Sequence, residues 1–191
     1  PRISIYNAIV SLDTIKPVVS IYSPANRTYN TTNISLSYSA SDNIALAACL
    51  FTNTTGSSAM LGGCTNATFI TAANQQNNIT LAANDSNGNI NSTRIFFTID
   101  TTAPFINVTD PQNTSYTTTN ITLNYSVADL QIDRCWFTNV TGSAIFLNGQ
   151  SRGACTNVTF LARGNIQNNI TVYVNDTGGN VNSSVIFFTT N

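Results

Sequence analysis

The clearest pattern along the chain is the alternation of apolar and polar positions over short segments. Ile34, Leu36, Tyr38 and Ala40 alternate with serines, and the segment Ile121–Val127 repeats this alternation. A period of two is typical of a strand that buries one face. No segment shows an apolar stripe at helical spacing, so the pattern predicts an all-β protein.

A second pattern, in which two apolar segments flank a turn, occurs twice. It spans residues 77–99 and again residues 168–190. In the first copy, the segment Asn84–Asn89 between the two apolar runs is rich in asparagine, aspartate and glycine, which favour turns. Each copy therefore predicts a β-hairpin.

The repetition extends well beyond the hairpin. Asp13–Asp42 matches Asp100–Asp129 without a gap, which gives a period of ~90 residues, the size of a small domain. Each copy carries about seven short strand patterns separated by turns, which is typical of two packed sheets. We predict two tandem β-sandwich domains, residues 13–100 and 101–191.

Residues 1–12 precede the first repeat, and their apolar pattern predicts an extended strand. The apolar phase shifts from Ile3 and Ile5 to Ala8, Val10 and Leu12. The latter three correspond to Ile95, Phe97 and Ile99 before the next repeat. Two interpretations stay open: a linker within a longer array, or a strand donated to the sheet of another subunit. The candidate subunit-contact residues are Ile3, Ile5, Ala8, Val10 and Leu12.

The four cysteines lie at matching places in the two repeats. The simplest pairing is one bridge within each domain, Cys49 with Cys64 and Cys135 with Cys155. Such bridges indicate an oxidising, extracellular setting. Four reduced cysteines are the alternative, and a zinc site is disfavoured because the chain has no histidine and no Cys-x-x-Cys spacing.

The composition restricts the partners that this protein can have. Charged residues make up 8% of the chain and the net charge is -1. This balance gives no electrostatic basis for binding nucleic acid or an anionic membrane. No apolar run is long enough to span a bilayer, so we expect no membrane span. A chain that begins at Pro1 rather than at methionine predicts a mature or trimmed form.

The strongest functional signal is the density of Asn-x-Ser/Thr sequons, the acceptors of N-linked glycans. The same composition in random order would give roughly seven, and the chain has more than twice as many. The candidate glycosylation sites are Asn26, Asn30, Asn33, Asn53, Asn66, Asn78, Asn84, Asn91, Asn107, Asn113, Asn120, Asn124, Asn139, Asn157, Asn169, Asn175 and Asn182.

Duplication alone could explain the sequons that recur in both copies. Asn107 and Asn124, however, stand where the first copy has Ser20 and Ser37, and the alternation places both on the outward side. We therefore predict that several sequons carry N-glycans. For Asn84 and Asn175, which open the hairpin turns, a purely structural role in the turn is the competing interpretation.

The sequence offers little for catalysis or for a cofactor. Without histidine there is no imidazole base, and the aspartates are expected at repeat-equivalent turns and not as a clustered pair. We therefore predict no enzyme activity, no catalytic or cofactor-binding residue and no metal site. The loop Asp85–Asn89 has some resemblance to a calcium loop, but its second copy replaces oxygen ligands with glycine, so a turn is favoured.

Several short motifs together resemble the Ig-like repeats of archaeal cell-surface and extracellular filament proteins. They are Asp-Thr-x-x-Pro at the domain junction, Ser-Pro-x-Asn-x-Thr-Tyr, Asn-Ile-Ser/Thr-Leu-x-Tyr-Ser, and Asn-Asp-x-x-Gly-Asn. The resemblance covers residues 13–191 and implies glycosylated extracellular Ig-like sandwiches without catalytic residues.

The resulting hypothesis is a structural subunit of a cell-surface filament or coat. It would polymerise with copies of itself through strand pairing. The alternative is a monomeric adhesin or a carbohydrate-binding stalk module of a larger surface protein, with surface carbohydrate as its partner.

Overall fold

A computed structural model of the chain describes residues 13–139, 144–146 and 155–191, with only the backbone described for 144–146. The predicted contact residues Ile3, Ile5, Ala8, Val10 and Leu12 lie outside this range. The chain divides into two compact units with a boundary between Ile99 and Asp100 (units 1 and 2). The segment Thr28–Asn30 groups with unit 2, although its strand pairs within a sheet of unit 1.

Unit 1 is built from strands that form two sheets. The strands are β1 Val18–Ser23, β2 Thr28–Tyr29, β3 Asn33–Ser41, β4 Leu46–Asn53, β5 Ser58–Leu61, β6 Ala67–Ile70, β7 Gln75–Asp85 and β8 Ile90–Ile99. A three-stranded sheet has the order β1-β3-β6, and a five-stranded sheet has the order β2-β8-β7-β4-β5.

Unit 2 repeats this arrangement. Its strands are β9 Phe105–Asp110, β10 Ser115–Tyr116, β11 Asn120–Ala128, β12 Ile132–Thr138, β13 Ala144–Phe146, β14 Val158–Leu161, β15 Ile166–Asp176 and β16 Val181–Thr190. Its sheets have the orders β14-β11-β9 and β10-β16-β15-β12-β13. The prediction of two all-β sandwiches is confirmed, while the predicted limits 13–100 and 101–191 stay predictions, as does the strand at residues 1–12.

The predicted hairpins are confirmed as β7–β8 and β15–β16. Each is an antiparallel pair of long strands, in register from Gln75 opposite Ile99 to Asn84 opposite Ile90 in unit 1. The turn residues include Gly88 at a φ of +89° and Gly179 at +93°. This backbone region favours glycine, which explains the residue type at these turns.

Apolar side chains from the inner faces of both sheets form the core of each unit. In unit 2, Leu123 of β11 faces a layer of Phe137, Val172 and Val174 from the other sheet, all with no exposed surface. Strand alternation places these residues on one side, so the core follows directly from the period of two. Two further tyrosines occupy matching inward positions.

The matching tyrosines, Tyr38 of β3 and Tyr125 of β11, differ in how their hydroxyl groups are satisfied. The Tyr38 hydroxyl is buried and has no hydrogen-bond partner. The Tyr125 hydroxyl donates to the carbonyl oxygen of Thr156 at 3.3 Å. A buried polar group without a partner destabilises the folded state, so the two sites should respond differently to loss of the hydroxyl.

We predict that Tyr38→Phe stabilises unit 1 by about 1 kcal/mol, because the substitution removes an unsatisfied buried hydroxyl and leaves the ring in place. Tyr125→Phe is the matched control, and it should be neutral or destabilising because it removes a hydrogen bond. Scanning calorimetry of the full chain gives both values. A destabilisation by Tyr38→Phe equal to that by Tyr125→Phe would contradict this account.

Burial raises the pKa of Tyr125 to about 12. Because the folded chain holds this phenolic proton more tightly than the unfolded chain, the associated stability is complete below the ordinary tyrosine pKa of about 10 and is lost as the pH rises through 12. We predict a late phase in the ultraviolet absorbance titration of tyrosinate that Tyr125→Phe removes. A wild-type titration in which every tyrosine has a midpoint near pH 10 would contradict this.

Candidate functional site

Each unit contains one disulfide bond, as predicted. Cys49 of β4 pairs with Cys64, with 5.2 Å between the Cα atoms, and Cys135 of β12 pairs with Cys155 at 5.5 Å. Cys49 and Cys135 have no exposed surface. Each bridge therefore links a core strand of its unit to a segment outside the core. The alternative of reduced cysteines is wrong for all four. Two such bridges are typical of a secreted or extracellular protein.

Most of the sequon asparagines lie on the surface of the two units. An N-glycan is bulky and solvated, so it requires an exposed acceptor. The exposed asparagines are Asn26, Asn30, Asn33, Asn66, Asn91, Asn107, Asn113, Asn120, Asn157, Asn169 and Asn182. The half-buried asparagines are Asn78, Asn84, Asn124, Asn139 and Asn175.

Asn53 differs from the other sequon asparagines because its side chain is buried. Its Oδ1 accepts from the backbone N–H of Ser57 and from the Thr55 hydroxyl, and its Nδ2 donates to the carbonyl oxygen of Ile70. The amide therefore closes the turn after β4. Since a glycan is attached to Nδ2, glycosylation would place a bulky sugar at this buried amide, beside its contact with Ile70.

Two exposed sequons also use the amide nitrogen inside the fold. Asn91 Nδ2 donates to the carbonyl oxygen of Pro17 at 2.8 Å, and Asn182 Nδ2 donates to that of Pro104 at 2.9 Å. The recurrence of this bond in both units gives these asparagines a structural role that sequence analysis did not identify. Occupancy of the sequons stays a prediction.

We predict that N-glycans occupy Asn26, Asn33, Asn113 and Asn120 and are absent from Asn53, because the first four are exposed and Asn53 Nδ2 is bonded within the fold. Glycopeptide mass spectrometry of protein from its native source measures each site. Asn66 and Asn157 are exposed too, but their Oδ1 atoms accept backbone bonds from Tyr38 and Tyr125. Comparing their glycan occupancy with that of the first four sites shows whether such a bond affects glycosylation. Glycan at Asn53 with none at the exposed sites would contradict this prediction.

Three aspartates of each unit converge at one end of the sandwich. In unit 1, one carboxylate oxygen from each residue lies within 4.8 Å of the others, and a matching triad occurs in unit 2. The sequence-based expectation that the aspartates do not cluster is therefore wrong. The triads are Asp13, Asp42 and Asp85 in unit 1 and Asp100, Asp129 and Asp176 in unit 2.

The aspartate of the hairpin turn is held by a dense set of hydrogen bonds. Asp85 Oδ1 accepts from the backbone N–H groups of Asn87 and Asn89, both at 2.8 Å, and Oδ2 accepts from Asn89 Nδ2 at 2.6 Å. Burial acts to raise the pKa of this carboxyl, but the bonds from Asn89, Asn87 and Gly88 hold the pKa below its ordinary value. These hydrogen bonds therefore favour the ionised form of Asp85 in the folded chain.

The outer face of the five-stranded sheet of unit 2 carries a pair of stacked aromatic rings. Trp136 of β12 and Tyr173 of β15 lie opposite each other, with ring centroids 5.1 Å apart and planes within 8° of parallel. Both side chains are half-buried, whereas their neighbours Cys135 and Phe137 point into the core. The pair thus stacks face to face on the outer side of the sheet.

No helix formed by the described residues is long and apolar enough to cross a membrane. No protein-family model and no curated protein matches the chain.

Solved structures similar to this chain show the fold. Fibronectin(III)-like modules of Clostridium thermocellum CbhA align with a TM-score of 0.54 at 20% identity, covering 91% of this chain and 94% of that one. Murine CEACAM1b aligns with a TM-score of 0.53 at 12% identity, over 91% and 100% of the two chains. Immunoglobulin domains 1-5 of Sidekick-1 align with a TM-score of 0.56 at 9% identity, over 92% of this chain and 39% of that chain. The two units are therefore Ig-like sandwiches of the immunoglobulin and fibronectin type.

Proposed function

We propose that the chain is a structural subunit of an extracellular, N-glycosylated filament or coat at the cell surface, in which copies of the chain assemble through β-strand pairing. The observation that carries this proposal is the presence of exposed sequons at matching places on two disulfide-bonded sandwiches. Disulfides and glycans both belong to the cell exterior. The resemblance to archaeal surface repeats supports the same setting.

Strand pairing between copies needs an exposed sheet edge and a segment that can join it. β1 is an edge strand of its sheet among the described residues, and its Val18 and Tyr22 are 64% and 66% exposed. An exposed apolar edge is a template for a further strand. Ala8, Val10 and Leu12 have the apolar phase of β8, which makes residues 1–12 of another copy the proposed donor.

Substitutions within residues 1–12 test the assembly. Val10→Asp and Leu12→Asp place charges on the apolar side of the proposed donor strand, so the polymers should be shorter or absent in electron micrographs. Ser11→Asp adds the same charge at the alternating position and should leave polymer length unchanged. Polymers of normal length after deletion of residues 1–12 would overturn the assembly mechanism.

The stacked Trp136 and Tyr173 favour a second function, a carbohydrate-binding module of a larger surface protein. The face of an aromatic ring that its stacking partner leaves uncovered can pack against the apolar face of a sugar ring, and the polar end of the side chain can form hydrogen bonds. Glycan-array binding that Trp136→Ala abolishes would support this function. Phe105→Ala removes an exposed aromatic ring of β9 outside the stacked pair and serves as the control.

A further inference from the structure

We propose that Asp13, Asp42 and Asp85 form a binding site for a calcium ion in unit 1. One oxygen from each carboxylate already lies within 4.8 Å of the other two. A single cation placed among them would contact all three side chains. The proposal is independent of assembly and of glycosylation, and it concerns residues that neither of those functions uses.

The three side chains converge because two strands from opposite sheets end at the same place. Asp42 follows β3 in the inward phase of Ile34 and Leu36, and Asp85 ends β7 in the inward phase of Leu81. The Nδ2 of Asn89 joins the third residue by donating to the backbone carbonyl of Asp13 and to Asp85 Oδ2. The cluster is therefore fixed by the strand frame and by the hairpin turn.

Two of the three carboxyl groups are buried, and no ion pair with the triad is seen among the described residues. Asp85 is 1% exposed and Asp13 is 8% exposed. The ion pair seen among the described residues joins Arg134 to Asp133, and neither belongs to a triad. Buried charges in proteins are paired or bind metal ions, because an isolated ion loses its hydration without compensation. A divalent cation would supply the missing positive charge.

Two carboxylate oxygens in the cluster point separately to a missing ligand. Asp13 Oδ2 and Asp42 Oδ1 are buried and have no hydrogen-bond partner. The other oxygen of each group accepts one backbone bond, from the N–H of Ile15 to Asp13 Oδ1 and from the N–H of Ile44 to Asp42 Oδ2. Buried polar atoms in folded proteins nearly always have a partner. A bound cation gives both oxygens that partner.

The donor set selects calcium among the common metal ions. All of the donors are carboxylate oxygens, and neither imidazole nor thiolate is present, which disfavours zinc and copper. Calcium accepts six to eight oxygens in flexible geometry, whereas magnesium requires a near-octahedral shell and keeps its waters. The carboxylates come from three separate segments and are not set at the corners of an octahedron by one loop, an arrangement that suits the more tolerant ion.

Calorimetric unfolding of the chelator-treated full chain, with and without calcium, tests the site. Extracellular calcium modules bind at about 10⁻⁴–10⁻³ M, so about 10 mM calcium should raise the unit 1 transition by roughly 6–22 °C. Magnesium at the same concentration should have little effect. Absence of a calcium shift in the wild-type chain would overturn the proposal, and an equal shift with magnesium would overturn the assignment to calcium.

Asp42→Asn tests the named residues, since it removes one ligand charge from the half-buried member of the triad. Equilibrium dialysis should show the loss of one bound calcium per chain, or binding at least about tenfold weaker, whether or not unit 2 binds a second ion. Asp133→Asn removes the same charge outside the triads and should bind as the wild type does. A folded Asp42→Asn variant with wild-type binding would overturn the site.

Discussion

Phe188→Ala should destabilise unit 2 by about 3–5 kcal/mol, the range found for truncation of a buried phenylalanine. The Phe188 ring is 1% exposed and packs edge-to-face against Tyr116 and Phe160, with ring centroids 6.0 and 6.3 Å away. The substitution leaves a cavity between the two sheets that this frame cannot close. Trp136 is the only tryptophan and lies in unit 2, so its fluorescence reports the unfolding of this unit.

Phe187→Ala is the matched control for this experiment. Phe187 precedes Phe188 on β16, has the same size and is 46% exposed, because adjacent strand residues face opposite sides. Its truncation should change the stability by no more than about 1 kcal/mol. Equal losses from the two substitutions would show that the assignment of inner and outer faces is wrong.

The same alternation explains how far the sequence predicted the fold. Long alternating segments identified β3, β7 and their copies, because each further apolar–polar pair adds independent evidence for one buried face. The two-residue strands β2 and β10 were missed, since Thr28–Tyr29 and Ser115–Tyr116 are too short to show a period. Their place in the sheets depends on pairing with β8 and β16, which local sequence does not encode.

The aspartate triads show where a stricter use of the pattern would have succeeded. Leu81, Ala83 and Asp85 have the same phase on β7, and all three are buried. Extending the alternation past the last apolar residue predicts an inward carboxylate at the end of the strand. Asp13 has no such signal, because it precedes the first strand and meets Asp85 only through tertiary structure.

The sequons show where alternation alone fails, because the side chain of a surface motif can also form hydrogen bonds within the fold. Asn107 is exposed, as its outward phase predicts. Asn124 has the same outward phase but is half-buried, and its Nδ2 donates to Asp110 Oδ2 at 3.0 Å. A motif specifies which residue an enzyme can modify, whereas the use of its amide by the fold depends on contacts between strands. Exposure alone therefore ranks the sequons incompletely.

Loss of the Cys135–Cys155 bridge should be the other large effect on unit 2. The bridge spans 20 residues of sequence, and the chain-entropy estimate for a loop of this length is about 3 kcal/mol. The double variant Cys135→Ala with Cys155→Ala should therefore lower the transition midpoint reported by Trp136 by roughly 12–24 °C. Reduction of the wild-type protein should give a similar shift, because it opens the same loop without substitution.

The Cys49–Cys64 bridge provides the control in the same chain. It spans 15 residues, so the double variant Cys49→Ala with Cys64→Ala should destabilise unit 1 by a similar amount, also about 3 kcal/mol. Because both of its cysteines lie in unit 1, calorimetry should detect the loss while the Trp136 transition keeps its midpoint. A loss below about 1 kcal/mol in both variants would show that the strand frames, rather than the bridges, determine the stability of these sandwiches.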